Sequence, residues 1–556
     1  MENPAPEDAT SNEEWPAFMV PPGSIQDRGM CEEKRIDDCS AEGSALNSGR
    51  LMIPPFGPIY LQKANAFQRK EGSAIGHQDS DPLIVVGDGN TVHRAKEWAE
   101  RQSGQSTHVQ GLSRRGTNVS RSLSALRTKA ESAPKHRFRD LFGLIDQQRL
   151  CEAYHLLKKR AAPGIDGVTH AEYGENLAEN LRDLEMRLRE GRYRAQHVKR
   201  QWIAKAGSTK MRPLGIPVLE DKIVQQAVRM ILEPIWEADF CDESIGYRPG
   251  RQARQSTQDL GVALDSGVYR WVVEADIKGF FDHIDHGWLC RMMEERIDDP
   301  RLIRLIRKWL KAGVLEDSRV TRSEEGTPQG GVISPLLANI YLHFVQDLWI
   351  RKVITKESRG RVLFRRYADD SIVCFERRED AERYLRALPG RLAKFNLELA
   401  EGKTALTKFN RWEPETSGKF TFLGFDFYWQ GTRKNPLHRI VRRRTTAKKF
   451  RASLQAMKEW LIKARSFPLS AIVTTLGRKL QGYWNYYGVI GNSERLTHYG
   501  HEVKGLVFKW LNRRSQRKSY TWAEFTAAWE SWKLPPPRIN ETPPPRSARQ
   551  RPPLPV

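Results

Sequence analysis

The sequence predicts an α+β fold built on an antiparallel sheet, followed by an all-helical region. Between residues 136 and 430, short runs of alternating apolar residues are interspersed with helix-length stretches of 3.6-residue periodicity. Beyond Arg439 only helical periodicity remains. The chain has 556 residues, which is too long for one compact domain at roughly 100–200 residues each.

Composition and periodicity divide the chain into four segments. Residues 1–135 are rich in Gly, Ser, Pro, Asn and charge and are predicted to be mostly disordered, with one helix near Thr91–Gln102. Residues 136–430 form the mixed α+β region, and residues 431–535 are helical. Residues 536–556 are Pro-rich and basic, which predicts an extended or disordered tail.

The first half of the α+β region is predicted from apolar spacing and from Gly and Pro punctuation. In chain order it predicts a helix over 137–159, a loop over 161–169, a helix with Leu177, Leu181, Leu184 and Leu188 on one face, a strand hairpin over 197–217 and a helix over 218–236.

The second half is predicted from period-2 alternation of β-branched and aromatic residues. The predicted strands are WVVEADIKGFF (271–281), the two halves of LFRRYADDSIVCFE (363–376) around a tight turn, and the pair within FTFLGFDFYW (420–429). Helices are predicted over 301–312 and 379–396. From Arg439 onward strands are predicted to stop, and a basic cluster leads into three helices, over about 445–465, 469–487 and 494–512.

Charge and cysteine content restrict the class of protein. The net charge of +23 on a chain with 39% hydrophobic residues indicates a folded protein with a polyanionic partner, nucleic acid first, although a solvated basic surface is the alternative. The six cysteines form no C-x-x-C pair, so neither a zinc module nor disulfides are predicted. The acidic N-terminus resembles no signal peptide, and no apolar run is long enough for a membrane span. We therefore expect a cytoplasmic protein without a membrane partner.

Asp369 and Asp370 stand side by side between two apolar runs. Each opposes the ionisation of the other unless a cation lies between them. Alone, the pair is typical of a polar turn. Asp276, which ends another apolar strand, favours a metal site over that turn, although a strand-end cap is its own alternative. If the two strands are neighbours, the three carboxylates could share two Mg²⁺ ions, the arrangement that serves phosphoryl transfer.

The wider order of motifs resembles the reverse transcriptases encoded by group II introns. YADD follows DIKGFFDHIDH and GTPQGGVISPLLANIYLH (326–343), and further upstream lie KMRPLGIPVLEDKIVQQAVRMILEPIWE and SIGYRPGRQA (244–253). NLELAEGKTALTKF (396–409) and FTFLGF (420–425) come after it. The resemblance covers about residues 150–535. It implies a right-hand polymerase with fingers and palm over 136–430, followed by an all-helical thumb and maturase domain over 431–535.

The resemblance also implies an activity and partners. It implies an RNA-directed DNA polymerase that also acts as a maturase in the splicing and mobility of a group II intron. Its partners would be group II intron RNA, an RNA template, a DNA primer or target, and dNTPs, with a homodimer left open. The implied metal site, with two Mg²⁺ ions, consists of Asp276, Ile277, Asp369 and Asp370, and the catalytic residues are its three aspartates.

Further residues are expected to bind the nucleotide or RNA. The dNTP site is expected to contain Lys210, Arg212, Phe281, Gln329 and Lys403. Phe281 would exclude a 2′-hydroxyl; its alternative is a core residue, with Phe280 as the gate. For Lys210 and Arg212 the alternative is a solvated hairpin. Lys403 would either donate a proton to pyrophosphate or hold the template.

RNA contacts are expected from Arg248, Arg442, Arg443, Arg444, Arg513, Arg514 and Lys518. The alternative for Arg248 is the support of a turn. Tyr483, Trp484 and Tyr487 are expected mainly in the core of the helical region.

Two departures from the family pattern leave the carboxylates untouched. Ser371 stands where relatives often have Phe, and SIGYRPGRQA differs from the commoner SYGFRPGRSA. The H-N-H endonuclease domain of many relatives is expected to be absent. Two rival functions remain at this point. They are an RNA-binding splicing cofactor with weak polymerase activity, which the complete set of carboxylates disfavours, and a polymerase recruited to host defence, which the maturase-like helices disfavour.

Overall fold

The structure is a computed structural model. It describes residues 123–204, 211–316, 319–321, 326–327, 330–432, 434–514, 517 and 519–543. The expected disorder before residue 123 and the expected helix near Thr91–Gln102 lie outside these ranges. So do Lys210, Gln329 and Lys518, whose expected roles stay predictions.

The described chain contains helices and strands in mixed order. The helices are α1 (123–132), α2 (Gln147–Leu156), α3 (His170–Glu175), α4 (Leu177–Arg189), α5 (Leu219–Glu237), α6 (Ala253–Leu264), α7 (His286–Glu294), α8 (Pro300–Leu310), α9 (Ser334–Leu342), α10 (Arg378–Ala393), α11 (Ala447–Ala464), α12 (Leu469–Tyr487), α13 (Ser493–Leu511) and α14 (Trp522–Ser531). The strands are β1 (Val198–Ala204), β2 (Met211–Ile216), β3 (Trp271–Ala275), β4 (Val314–Glu316), β5 (Arg319–Thr321), β6 (Val362–Tyr367), β7 (Asp370–Phe375), β8 (Ala405–Lys408), β9 (Phe420–Phe422), β10 (Phe425–Gly431) and β11 (Arg439–Thr445).

The first described helices differ in part from the prediction. Helix α1 begins ahead of residue 136, where folded structure was expected to start, and Arg296 donates hydrogen bonds to the Ala130 and Ala133 carbonyls at its C-terminal end. The single helix expected over 137–159 is instead a 3₁₀ turn, Leu141–Leu144, followed by α2. The break occurs because the Asp146 side chain accepts a hydrogen bond from Arg149 N and caps a new helix.

Two sheets lie wholly within the α+β region that precedes the helical domain. The first has the strand order β2-β1-β4-β5, and its β1–β2 hairpin is the one predicted over 197–217. The second has the order β6-β7-β3-β8 with every neighbouring pair antiparallel. Val272, Val273 and Val373 of its central strands are fully buried. This second sheet sets the ends of β3 and β7 side by side.

A third sheet, β11-β10-β9, corrects the prediction that strands stop at Arg439. Strand β11 pairs antiparallel with β10 along its whole length, so the sheet continues past the expected boundary at residue 430. Val441 packs on the hydrophobic core. Arg443 and Thr445 on the same strand are also buried, but they make polar contacts, Arg443 with Glu541 and Thr445 with Asn492. Three consecutive arginines, Arg442, Arg443 and Arg444, conceal the period-2 pattern that identifies a strand.

The helices α11, α12 and α13 pack around a common core, which confirms the predicted helical domain. Leu476, Leu480 and Val507 are buried at its centre, and the stacked rings of Tyr483 and Tyr499 lie 3.6 Å apart between centroids. Helix α14 was not predicted; it starts at a capping box formed by Thr521 and Glu524. Antiparallel sheets interspersed with helices, together with the helical domain that follows them, confirm the α+β fold class.

The segment over residues 533–543 docks onto the folded chain, so the part of it that was predicted to be extended or disordered has fixed contacts. It lies outside helices and strands, and Asn540 N donates to Gly488 O at 2.9 Å while the Thr542 carbonyl accepts from Gln258 Nε2 at 2.8 Å. Glu541 is buried. We call residues 533–543 the C-terminal strap, because it contacts both α6 and the end of α12.

Candidate active site

The ends of β3 and β7 bring the three predicted aspartates to one edge of the second sheet. Ala275 pairs with Ser371 across the two antiparallel strands. Asp276 directly follows Ala275 and Asp370 directly precedes Ser371, so both aspartates lie at the same end of the strand pair. The β6–β7 hairpin reverses through Ala368 and Asp369 alone, and Ala368 holds a φ of 56°. The local alternation of FRRYADDSIVCF and its two-residue turn thus place Asp369 and Asp370 at the hairpin tip.

Burial and neighbouring carboxylates raise the pKa of the two aspartates at the hairpin tip, Asp369 and Asp370. Burial raises the pKa of Asp369, an effect opposed by its own backbone amide and increased by Asp276. Burial raises the pKa of Asp370 to about 6, with Asp369 and Asp276 adding to it. A site that resists full ionisation of its acids is one that a cation would stabilise.

Three basic side chains from separate elements act on these acids. The Lys403 ammonium forms an ion pair with Asp276 Oδ2. Arg212, on the fingers strand β2, and Lys403 both lower the pKa of Asp369, whereas Lys449 from the start of α11 lowers that of Asp370. Arg212 and Lys403 therefore act electrostatically on the carboxylates, and their contacts with a nucleotide stay predictions. Lys449 is a further cation at this edge that the sequence alone did not single out.

The donor set fits divalent ions of the magnesium type. Carboxylate oxygens are the ligands that Mg²⁺ prefers, and it takes substrate phosphates as well instead of an all-protein cage. Within the described residues no group of three or more His, Cys, Asp or Glu side chains is arranged to hold a metal ion by itself.

Phe280 and Phe281 occupy different environments just beyond Asp276. Phe280 is buried, 6.4 Å from the Tyr341 ring, whereas Phe281 is half-buried. The backbone of Phe281 accepts a hydrogen bond from Thr327 N at 2.8 Å, which ties it to the loop that carries TPQGG. This difference favours Phe281 over Phe280 as the residue that faces a bound sugar.

Gly330 of TPQGG lies close to the backbone of another element of the protein. Gly330 has a φ of 118°, and a Cβ there would lie 2.6 Å from the Gly215 carbonyl oxygen of β2. Val332 N donates to Gln225 Oε1 at 2.9 Å. In this structure the small residue therefore serves the packing of the loop on the fingers strand β2.

Arg248 is not placed to contact a template phosphate. It is buried, and it donates to both carboxylate oxygens of Glu237 and to the carbonyls of Cys241 and Ser244. The prediction of a phosphate contact is wrong for this structure because those groups occupy the guanidinium. Arg248 supports the turn that precedes GYRPGR, the alternative that the sequence had left open.

The other five described arginines that were expected to bind RNA differ in burial. Arg443 is buried and forms an ion pair with Glu541 of the C-terminal strap at 2.6 Å, so its predicted RNA contact is wrong. Arg442 and Arg444 are half-buried on β11. Arg513 and Arg514 are exposed after α13, and they remain predicted RNA contacts.

Tyr247 is a site residue that sequence reasoning missed. It holds a φ of 63°, unusual for a bulky residue, and burial together with Asp369 raises its hydroxyl pKa to about 12. The available signal was the departure of SIGYRPGRQA from the commoner family motif, which places a hydroxyl where Phe is usual.

Comparison with known proteins follows the same division of the chain. Residues 203–427 match the family described as reverse transcriptase (RNA-dependent DNA polymerase), and residues 447–529 match the group II intron maturase-specific domain. The fold and the three carboxylates therefore belong to a reverse transcriptase with a maturase domain attached.

Similar proteins narrow the class to a family. The chain is 31% identical over 438 residues to the group II intron-encoded protein LtrA of Lactococcus lactis subsp. cremoris, covering 64% of this chain and 72% of that protein. It is 33% identical over 389 residues to protein YkfC of Escherichia coli (strain K12), covering 63% and 95% respectively. The chain belongs to the family of group II intron-encoded reverse transcriptases and maturases, and it is an RNA-directed DNA polymerase.

Two general properties follow from the family matches. Reverse transcriptases use divalent metal ions, and a maturase-specific domain implies binding of intron RNA. No helix in the part of the chain that the structure describes is both long and apolar enough to cross a membrane.

Proposed function

We propose that this protein copies RNA into DNA by a two-metal mechanism in which Asp276, Asp369 and Asp370 hold two Mg²⁺ ions. The observation that carries the proposal is the juxtaposition of three carboxylates at the ends of β3 and β7, with the Lys403 cation paired to Asp276. Asp276 and Asp369 would bind both ions and Asp370 would support them. Ile277 has an apolar side chain, so it would contribute only its carbonyl oxygen.

When bound, two such ions would favour ionisation of the primer 3′-hydroxyl and stabilise the oxygen that leaves with pyrophosphate. The 3′-oxygen would form a bond to the α-phosphorus of the dNTP while the bond from that phosphorus to the α,β-bridging oxygen breaks. Pyrophosphate would be released, and the hydroxyl proton would pass to solvent water. Arg212 and Lys403 would bind the triphosphate oxygens through charge-assisted hydrogen bonds. Tyr247 would border the same space beside Asp369.

Selection of deoxynucleotides is assigned to Phe281. Its half-buried ring follows the strand end that carries Asp276, and its backbone is tied to Thr327 N. A ring held in this way would occupy the space that a 2′-hydroxyl needs. Lys210 and Gln329 are assigned to the same nucleotide site on sequence grounds.

The helical domain is assigned to RNA. The exposed Arg513 and Arg514 and the half-buried Arg442 and Arg444 would contact phosphates of intron RNA and of the template–primer duplex. Such contacts would let the protein stabilise the spliced fold of a group II intron and then use RNA as template, with a DNA primer or target supplying the 3′-hydroxyl.

Primer extension on an RNA template with Mg²⁺ and dNTPs tests the polymerase proposal. We expect Asp369→Ala to abolish extension while RNA binding and thermal midpoint stay close to wild type. The matched control is Asp242→Asn, which neutralises an aspartate with 87% side-chain exposure that pairs with Arg251, and it should extend normally. Extension by Asp369→Ala at the wild-type rate would overturn the proposal.

Splicing of a flanking group II intron RNA at low Mg²⁺ tests the maturase proposal separately. We expect the wild-type protein and Asp369→Ala to accelerate splicing equally, because the catalytic carboxylates play no part in RNA folding. If neither protein changes the splicing rate, the maturase proposal is contradicted and the polymerase proposal is unaffected.

A further inference from the structure

A buried polar cluster lies directly beneath the catalytic turn. Its members are Arg366, Asp347, Asn339, Gln346 and Ser371, and none is more than 5% exposed. Buried polar groups of this kind persist only when they are hydrogen-bonded to one another. We call this set the turn-support cluster.

Arg366 connects a fixed carboxylate to the backbone of the turn. Its Nε and Nη2 donate to Asp347 Oδ1 and Oδ2, each at 2.6 Å, in a bidentate ion pair with no exposed side-chain surface on either partner. Its Nη1 donates to the Ala368 carbonyl at 2.9 Å. Ala368 is the first residue of the turn, and its neighbour along the chain is Asp369.

Asn339 carries the support to a second strand-like segment. It accepts from Arg366 Nη1 at 3.0 Å and donates to the Gly246 carbonyl at 2.7 Å. Gly246 has no room for a Cβ because the backbone of the turn lies against it, and Ile245 N donates to Arg366 O at 2.9 Å. The turn is thus held from both sides of the hairpin.

The helical rod after the TPQGG loop carries three members of the cluster, Asn339, Gln346 and Asp347. It continues from α9 through a π-helical turn, His343–Asp347, which directs Gln346 and Asp347 towards the hairpin together. Gln346 Nε2 donates to Ser371 Oγ at 2.8 Å, and that oxygen lies 3.5 Å from the Ala275 carbonyl. The cluster therefore reaches both strand ends that carry catalytic aspartates.

We propose that Arg366 is a positioning residue that holds the Ala368–Asp369 turn so that Asp369 and Asp370 stay aimed at Asp276. The inference rests on the proposed function, since the turn matters only if these carboxylates hold the reacting ions. A positive φ at alanine is strained and persists only where its surroundings fix it. The bond from Arg366 to the Ala368 carbonyl is placed to do this.

Two variants separate positioning from stability. Arg366→Lys keeps the charge but loses the planar fork that reaches Asp347 and Ala368 together. The double variant Arg366→Met/Asp347→Leu removes both buried charges at once, which often leaves stability near wild type. The matched control is Arg296→Lys, because Arg296 is another buried arginine, 2.9 Å from Asp239, whose further contacts are with α1 instead of the turn.

The full chain is measured for thermal midpoint, RNA binding, single-turnover dNTP incorporation and Mn²⁺ binding in the protein–primer–template–dNTP complex by electron paramagnetic resonance. We expect Arg366→Lys and the double variant to lose kcat by about 100-fold, as a misplaced reacting geometry does. Their dNTP KM and RNA affinity should stay close to wild type, and their Mn²⁺ binding should weaken. Arg296→Lys should change only the thermal midpoint.

A double variant with wild-type kcat would overturn the proposal, because the cluster would then serve stability alone. Wild-type kcat and Mn²⁺ binding in Arg366→Lys would overturn it as well, and this comparison decides the matter if the double variant does not fold. Failure of the proposed function is distinguishable, because in that case Asp369→Ala itself would retain extension.

Discussion

The Lys403 ammonium is paired with the Asp276 carboxylate at the rim of the active site. The Lys403 side chain is 71% exposed and that of Asp276 18%, so a solvent-facing cation covers a recessed acid. The backbone brings the two together, because Ala400 N donates to the Asp276 carbonyl at 2.8 Å and Lys403 N to the Ala400 carbonyl at 2.9 Å. We interpret Lys403 as the cation that neutralises Asp276 until ions and a nucleotide arrive.

Replacing Lys403 should reveal two separate effects, one from its ion pair with Asp276 and one from its proposed contact with the dNTP. In Lys403→Ala we expect the Mg²⁺ concentration for half-maximal extension to fall, because the competing cation is gone. The dNTP KM should rise about tenfold through the loss of a charge-assisted contact. Primer extension at varied Mg²⁺ and varied dNTP measures both.

The control for Lys403 lies close by. Lys278 forms an exposed ion pair with Glu398 two residues beyond Asp276, and Lys278→Ala should leave both quantities unchanged. An unchanged Mg²⁺ requirement in Lys403→Ala would show that the ion pair with Asp276 does not compete with metal.

Phe281 should control the choice of sugar. Phe281→Ala opens space beside the nucleotide, so the ratio of ribonucleotide to deoxynucleotide incorporation should rise at least about tenfold, the discrimination expected from about 1.4 kcal/mol of lost steric exclusion. Parallel extensions with rCTP and dCTP measure it.

Phe280→Leu is the matched comparison for the gate. Phe280 is buried beside Tyr341, so its truncation should lower the thermal midpoint and leave the sugar preference alone. A shift of sugar preference in Phe280→Leu, without one in Phe281→Ala, would reverse the assignment.

Charge alone did not distinguish surface arginines from buried ones. Arg248 and Arg443 stand in basic stretches that suggested RNA, but their partners are fixed by the tertiary fold. Glu541 lies 98 residues from Arg443 in the chain, and no local pattern relates the two. The Pro-rich composition of residues 536–556 likewise carried no information about what the described part of this segment contacts.

Arg443 and Glu541 should contribute to stability and not to RNA affinity. Glu541 also accepts from Ile490 N at 2.7 Å, so Glu541→Gln and Arg443→Met should each lower the free energy of unfolding by about 3–5 kcal/mol, the cost of leaving one buried charge unpaired. Urea denaturation of the two single variants and the double variant gives their coupling.

RNA binding provides the contrast to that pair. Arg513→Ala should reduce the slope of log affinity against log salt by about 1, as the loss of one phosphate contact does. Arg443→Met should leave the slope unchanged. A reduced slope in Arg443→Met with unaltered stability would restore the RNA role that the structure argues against.

The buried His343 should make stability sensitive to acid. Burial lowers its pKa to about 4, Asp347 opposes this, and Arg366, Lys352 and Arg248 add to it. Because the folded pKa lies below the unfolded value of about 6.5, the unfolded state binds the extra proton. Stability from this group is thus complete above pH 6.5 and is lost as pH falls towards 4, by about 3 kcal/mol at most.

Urea denaturation from pH 7.5 to 4.5 measures the effect of His343. Wild type should lose more stability than His343→Gln across this range, since other titrating groups are common to both proteins. Parallel pH profiles for the two proteins would contradict a neutral buried His343.

The catalytic hairpin was predictable because its information is local. Period-2 alternation and a two-residue turn fix FRRYADDSIVCF, and the strand that ends at Asp276 follows the same rule. The turn-support cluster was not predictable, since Arg366 meets Asp347 and Asn339 only after α9 packs beneath the sheet. Strand β11 was missed because its arginines occupy positions where apolar residues usually reveal a strand.

Metal rescue tests the central claim, that Asp369 is a direct ligand of the catalytic ions. Single-turnover incorporation by Asp369→Cys is measured with Mg²⁺ and with the more thiophilic Mn²⁺, beside Asp369→Ala as a control. We predict that Asp369→Cys is inactive with Mg²⁺ and regains activity with Mn²⁺, whereas Asp369→Ala stays inactive with both. Equal activity of Asp369→Cys with the two metals, or incorporation by Asp369→Ala, would contradict the assignment of Asp369 as a metal ligand.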